Sequence, residues 1–329
     1  MRLARPRTAQ HILPMTDPLA GLIEALRDRY RLDRELGRGG VATVFRAHDV
    51  RHDRWVALKL LHRDLGAAIG AERFRRAVRT AARLQHPHIL TVHDSGDDGG
   101  QLWFTMPYIE GETLHDRILR EGPLPVAEAL RIARQAAEAL DYAHRQLVIH
   151  RDIKPETILL SEGHALVADF GIARALRGAA GAAGSPAYMS PEQATGGLVD
   201  ERTDVYSLGA VLYDMLLGEP PFTGSTPQAV IARVITETPR PLRTVRPSVP
   251  AALEAAVLRA LARAPGGRFA TIAEFDRALA DAATALHAGP VRSPAGTPGN
   301  RTRAAAWLWP LLLTFAGGLL AVAGMWFAR

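Results

Sequence analysis

At 329 residues and a net charge of +6, the chain is long enough to bury one large two-lobed core or two small domains. It contains no cysteine, which excludes a disulfide framework, a thiol nucleophile and a cysteine-based metal site. Its arginines are dispersed among acids, without a basic block or interleaved aromatics, so the positive balance argues for a solvated surface and against a nucleic-acid partner.

Residues 1–29 form a leader that opens with Arg2, Arg5 and Arg7 but lacks the apolar run of a signal peptide, and Met15 offers a second start. From Asp17-Pro18 a short helical pattern runs through Leu19, Leu22, Ile23 and Leu26 and is expected to pack lightly. Strand patterns begin at Tyr30. Leu36-Gly37-Arg38-Gly39-Gly40-Val41-Ala42-Thr43-Val44 lies between two apolar runs, and glycines there let backbone approach a phosphate closely, although a plain hairpin reads the same way. Trp55-Val56-Ala57-Leu58-Lys59-Leu60-Leu61 is an apolar strand with one lysine in its middle. Burying an unpaired ammonium is costly, so Lys59 is expected to meet an anion. Glu72 to Gln85 reads as a helix with Phe74, Val78 and Ala81 on one face. Leu102 to Met106 is another strand, followed by Pro107-Tyr108-Ile109-Glu110-Gly111. Pro125 to Gln146 is a long amphipathic helix, with Val126, Leu130, Ala133, Ala137 and Leu140 at spacings of 4, 3, 4 and 3.

His150 to Gly171 holds two carboxylates, Asp152 and Asp169, and one ammonium, Lys154. Ile158-Leu159-Leu160, the turn Glu162-Gly163 and Ala165 to Ala168 read as a hairpin that returns Asp169 to Asp152. One carboxylate can then take a proton from a hydroxyl while the other holds a metal ion; the plain alternative is a surface hairpin with scattered charges. Of 40 cationic side chains only Lys59 and Lys154 are lysines. A compact ammonium and a planar guanidinium are not interchangeable in a tight phosphate site, so lysines at these two positions point to function.

Residues 172–184 carry no Ser, Thr or Tyr. Gly184-Ser185-Pro186-Ala187-Tyr188-Met189-Ser190-Pro191-Glu192, then Asp204-Val205-Tyr206-Ser207-Leu208-Gly209 and Gly267-Arg268-Phe269 follow. The globular segment is expected to end near Ala283, with a Pro/Gly/Arg linker over 284–303. Residues 304–328 are uncharged, nominally about 37 Å of helix against about 30 Å of hydrocarbon. Trp307, Trp309 and Trp326 sit near the ends, as interfacial anchors do, and a single C-terminal transmembrane helix is expected. Arg292, Arg301 and Arg303 precede it and Arg329 follows, which predicts a single-pass protein of the cell membrane with its globular part in the cytoplasm. No sensor domain is expected beyond the span, and Gly317 with Ala321 leaves a homodimer paired through it open.

His150-Arg151-Asp152, Lys154 and Asp169-Phe170-Gly171 resemble the catalytic loop and metal-binding turn of bacterial eukaryotic-like (Hanks-type) serine/threonine protein kinases. Gly37 and Gly39, with Ala42 at the third glycine position, and Lys59 resemble that family's glycine-rich loop and strand-three lysine. The resemblance spans residues 30–283 and implies an α+β, two-lobed protein kinase fold. It implies a small antiparallel β-sheet N-lobe with one helix over about 30–106, a hinge at 107–111 and a larger, mostly helical C-lobe over 112–283. It also implies ATP as co-substrate, Mg2+ or Mn2+ as cofactor, and serine or threonine hydroxyls of proteins as acceptors. Gly37, Gly39, Val44, Ala57, Lys59, the gatekeeper Met106, Pro107, Ile109 and Leu159 would bind ATP, Asp169 and Thr157 the metal. Asp152 and Lys154 would act on the acceptor and the γ-phosphate; Lys154 is the mark of serine/threonine rather than tyrosine kinases. His150, Arg151, Glu192, Asp204 and Arg268 would be structural, Asp204 holding the catalytic-loop backbone and Arg268 pairing with Glu192. Ser185 would be a docking hydroxyl bonded to Asp152, and no phosphorylation switch is expected in 172–184.

Two positions depart from the family pattern. Ala77 stands where a helix glutamate would pair with Lys59, and Glu72 lies about 140° round the helix and about 7.5 Å along it. Thr157 stands where a metal-binding asparagine is expected. The implied activity is a membrane-tethered serine/threonine kinase of reduced rate; the alternative is a pseudokinase scaffold that recruits partners at the membrane.

Overall fold

The computed structural model describes residues 18–171 and 185–288. After the helix α1 (Pro18–Leu26), the strands β1 (Tyr30–Arg38), β2 (Ala42–Asp49), β3 (Arg54–Leu61), β4 (Asp94–Asp98) and β5 (Gln101–Pro107) form one antiparallel sheet in the order β1-β2-β3-β5-β4. The apolar run of β3 is buried on both faces, as a near-continuous hydrophobic strand must be. Its alternation sorts the side chains: Ala57 and Leu61 join the cluster under α3 (Ala71–Ala81), with Phe74 and Val78. Val56, Leu58 and Leu60 join the opposite cluster, with Leu22 and Leu26 of α1. The leading helix was expected to pack lightly; instead Leu22 and Leu26 are buried against the sheet.

The N-lobe holds two consecutive helices after β3, where one was expected. The short α2 (Arg63–Ile69) precedes α3, and Gly70, at φ +77°, separates them. The second helix ends at Ala81, four residues before the expected end, because the chain turns there toward His86-Pro87.

In the C-lobe, β6 (Glu112–Thr113), β7 (Ile158–Ser161) and β8 (His164–Val167) form a small antiparallel sheet in that order. The β7–β8 turn has positive φ at both Glu162 (47°) and Gly163 (81°), the signature of a tight hairpin turn matched to strand twist. The helical part comprises α4 (Leu114–Glu121), α5 (Val126–Arg145), α6 (Pro191–Ala194), α7 (Arg202–Leu217), α8 (Pro227–Thr236), α9 (Leu242–Val245), α10 (Ala251–Ala260) and α11 (Ile272–Ala288). Every residue of α7 from Thr203 to Leu216 is buried, so it is the axis around which α5, α9 and α10 pack. The last helix runs beyond the expected boundary at Ala283. The expected transmembrane helix over 304–328 lies outside the described residues; among those described, no helix is long and apolar enough to cross a membrane.

Candidate active site

The cleft between sheet and helices is built by strand register. Across β2 and β3, Val44 faces Lys59; across β3 and β5, Ala57 faces Met106. Ala57 and Met106 share one apolar cluster with Ala168, against which Val44, Ile109 and Leu159 pack. The hinge and the β7 hairpin thus complete an apolar slot with Val44, Ala57, Met106 and Leu159 on its walls. Its polar edge is backbone: Ile109, two residues after Pro107 in the hinge, donates its amide to no acceptor among the described residues. At the β1–β2 turn, Gly39 donates to the Ala42 carbonyl at 2.9 Å. A Cβ added at Gly37 or Gly40 would meet open space, so neither glycine is demanded by the chain's own packing.

Lys59 reaches Asp169 with Nζ–Oδ2 at 2.6 Å, the anion its central position in β3 called for. Burial pushes the Asp169 carboxyl up, but the Lys59 ammonium, with His150 and Lys154 beyond, holds it below the usual aspartate range. Its Oδ1 is buried without a hydrogen-bond partner. Such an orphan oxygen asks for a ligand, and a hard carboxylate oxygen is what Mg2+ takes. The residues therefore fit a magnesium ion at Asp169. Asp169 also sits at φ +68°, a region that non-glycine residues rarely occupy. Gly171, at φ +71°, follows, and glycine serves that turn; a Cβ there would meet the Ala77 carbonyl only at an ordinary contact of 3.7 Å.

Asp152 stands beside Lys154, with Oδ2–Nζ at 3.0 Å. Burial works against the Lys154 ammonium, but Asp152 beside it, with Glu156 and Asp169 farther off, holds its pKa above the ordinary lysine value. The loop carrying both is held through its backbone. The fully buried Asp204 accepts from the amides of His150 and Arg151, each at 2.8 Å, and bonds His144 Nε2 at 2.8 Å. Burial pushes the Asp204 carboxyl up, but His144, His150 and these amides keep it below the usual range. His150 bonds the Ala168 carbonyl at 2.8 Å and meets the Phe170 ring edge-on at 4.6 Å, fixing the turn that carries Asp169. Arg151 is strained at φ +70°. Its carbonyl accepts from Gln193 Nε2 at 3.0 Å, so α6 grips the loop from the other side. Arg268, 3% exposed, forms a bidentate pair with Glu192 at 2.8 and 2.7 Å and caps the carbonyls of Ala262, Arg202 and Arg263.

A protein kinase domain matches residues 30–263. The chain belongs to the protein kinase family. It is 43% identical over 262 residues to the serine/threonine-protein kinase PknB of Mycobacterium leprae, covering 76% of this chain and 42% of that protein. It is likewise 43% identical over 263 residues to PknB of Mycobacterium tuberculosis, with the same coverage of each chain. PknE of Mycobacterium tuberculosis is 40% identical over 256 residues, covering 76% of this chain and 45% of its own. The match spans less than half the length of these curated relatives, and it places the kinase among bacterial Hanks-type serine/threonine kinases.

Against the family pattern the chain departs once in each lobe, at Ala77 above and at Thr157 below. Ala77 packs against the N-lobe apolar cluster, and Glu72 is exposed in the first turn of α3, paired with Arg75 at 3.4 Å and Arg79 at 3.6 Å. No helix carboxylate reaches Lys59, whose ion-pair partner is Asp169 alone among the described residues. Thr157 is buried with its hydroxyl turned to the loop: it accepts from the Lys154 amide at 3.2 Å and faces the carbonyls of Lys154 at 2.9 Å and Asp152 at 3.3 Å. The expected Ser185–Asp152 hydrogen bond is not formed; among the described residues Lys154 is the side chain that bonds the Asp152 carboxylate. Ser185 instead leads the turn Pro186–Tyr188 through its backbone. Residues 172–184, where no phosphorylation switch is expected, lie outside the described residues. His144 and Gln193 are positioning groups that sequence reading missed: each acts on a backbone far away in the chain, and no local pattern announces that.

Proposed function

We propose that this chain transfers the γ-phosphoryl group of ATP to serine or threonine hydroxyls of proteins, more slowly than relatives that carry the helix glutamate and the metal-binding asparagine. The observation that carries the reading is the convergence of two lysine–aspartate pairs, Lys59–Asp169 and Lys154–Asp152, on one cleft whose loop is locked from below. Gly37, Gly39 and Lys59 hold the phosphates, while Val44, Ala57, Met106, Leu159 and the backbone of Pro107 and Ile109 take the adenine. Asp152 orients the acceptor hydroxyl and receives its proton as the new oxygen–phosphorus bond forms and the bond to the β-phosphate oxygen breaks, releasing ADP. Lys154, 3.0 Å from Asp152, offsets charge on the transferred group. Magnesium, held by the free oxygen of Asp169, would neutralise the phosphates. Thr157 adds loop rigidity; an additional ligand role for it rests on its remaining lone pair. Residues 304–328 tether the kinase to the cell membrane, leaving the catalytic part in the cytoplasm, with self-association through that helix as part of the same reading.

A second reading, a pseudokinase scaffold, draws on Ala77 and on the Thr157 hydroxyl being engaged by backbone. The two part on transfer of radiolabelled ATP phosphate to a generic basic protein, with Asp152→Asn as control. Counts are expected roughly 10²–10⁴ above that control, the usual contribution of a positioned base. No counts above it, alongside a retained magnesium-ATP thermal shift, leaves the scaffold.

A further inference from the structure

The face of α3 turned away from the core carries Arg75, Arg76 and Arg79, with Arg73 at its edge and Arg83 in the turn beyond, against one acid, Glu72. All five arginines are exposed. Glu72 is shared by Arg75 and Arg79; Arg73, Arg76 and Arg83 have no ion-pair partner among the described residues. Beside them a cavity of about 230 Å³ is lined by Arg73, Arg76 and Thr80 on one wall and by Leu147, Val148 and Ile149 on the other.

Leu147 is the anomaly. It closes α5 with a paired motif, its amide donating to the His144 carbonyl at 2.8 Å and the Val148 amide to the Ala143 carbonyl at 2.9 Å. That motif demands a left-handed residue, a place glycine or asparagine fills without strain. Leucine stands there at φ +59° and is 93% exposed. Nothing in the fold repays the strain, because the side chain touches almost nothing. An exposed, strained apolar tip beside guanidinium groups that have no ion-pair partner among the described residues fits a partner that is anionic and apolar at once, with no pocket to supply.

We propose that the α3 face and the Leu147 tip dock on an anionic lipid bilayer, the arginines meeting headgroups and Leu147 entering the acyl boundary. A bilayer is favoured over an acidic protein because an isolated leucine finds apolar surroundings in any bilayer, whereas a protein must supply a matching pocket. The same chain also carries the uncharged stretch 304–328, and to that extent the inference rests on the membrane tether proposed above. Docking would then bring α3, which lacks an anchoring carboxylate for Lys59, under the control of the lipid surface.

The absence of cysteine makes the test direct: Gln146→Cys, exposed and next to Leu147, takes a single environment-sensitive fluorophore in the full-length chain. The label is expected to shift blue on vesicles of phosphatidylcholine with phosphatidylglycerol, and not on phosphatidylcholine alone. The shift should fade with added salt, while a control label at Leu119→Cys on α4 stays unmoved. Arg73→Gln with Arg76→Gln should lower the docked-to-undocked ratio about 25-fold, taking about fivefold for each arginine at an anionic surface. Leu147→Asn should weaken docking without lowering Tm, since asparagine tolerates this backbone. Equal emission on both lipids overturns the proposal, as does a shift produced by polyglutamate but not by the anionic vesicles, which would assign the face to an acidic protein. Flotation with neutral vesicles reports the tether separately, so its failure and the failure of docking are told apart.

Discussion

The floor and the roof of this cleft are held by different amounts of structure. Below, Asp204 and Gln193 bind the loop of Asp152 through its backbone, His144 bonds Asp204 from behind, and the buried Arg268–Glu192 pair braces the helix that carries Gln193. Above, Lys59 depends on one carboxylate, Asp169, with both side chains partly exposed at 21% and 17%. Buried networks resist perturbation until one member is removed and then fail together, whereas a partly exposed single pair is adjustable. On the function proposed above, the acceptor side of the reaction is thus rigid by construction, and the nucleotide side is set by one contact that ligand, metal or α3 can bias.

The largest expected effect tests that single contact. Asp169→Asn leaves one uncharged oxygen in place of two charged ones, so a metal ion and Lys59 can no longer both be served, and it should cut phosphoryl transfer roughly 10²–10³-fold or more while abolishing the magnesium-dependent part of the ATP thermal shift. Transfer within tenfold of wild type would mean that the nucleotide side has another anchor, and the contrast between the two halves would be lost.

The lower half should respond in stability. Arg268→Lys leaves Glu192 without its fork and uncaps three carbonyls, so the fold should lose about 3–5 kcal/mol, read as a Tm drop of about 10 °C. Acid should expose the same pair. Burial pushes the Glu192 carboxyl up, but Arg268 overrides it and holds the pKa below the ordinary 4.5. Stability from this pair is therefore full above pH 4.5 and drains as pH falls through the depressed folded value. Asp204 acts in the same direction from its ordinary 3.8, whereas Asp214, raised by burial, acts in the opposite one. Glu192→Gln should be less stable than wild type at neutral pH and converge on it in acid; parallel curves would show that the pair carries none of the acid sensitivity.

Much of this architecture was legible before any coordinates, for reasons that can be named. Lys59 and Lys154 stood out because arginine fills nearly every other cationic position. The Glu162-Gly163 turn and the β3 run are local signals, and both formed as read. What stayed hidden depended on distant partners. The burial of α1 follows from Val56, Leu58 and Leu60 pointing to the sheet face opposite α3, which depends on strand pairing. The expected Ser185–Asp152 bond is not formed; Ser185 meets its neighbours through the backbone of the Pro186–Tyr188 turn, which no local pattern of residues foretold. Leu147 gave no signal, since only the closing motif of α5 turns an ordinary leucine into a strained one.

The smallest expected effect sharpens the contrast most. Ala77 packs against the N-lobe apolar cluster, and its carbonyl lies 3.7 Å from where a Cβ on Gly171 would, so α3 passes close to the turn that carries Asp169. Ala77→Glu would give Lys59 a second carboxylate at the cost of partly burying one charge. A partly exposed pair contributes up to about 1 kcal/mol, so the gain in kcat/KM should be about fivefold, chiefly through tighter ATP binding. That gain should vanish in Lys59→Met, where the new carboxylate has no ammonium to meet, and persist in variants of Glu72, which is occupied on the surface by Arg75 and Arg79. An equal gain with and without Lys59 would locate the effect in α3 itself, and the roof of the cleft would then be limited by helix placement, with the missing carboxylate of no consequence.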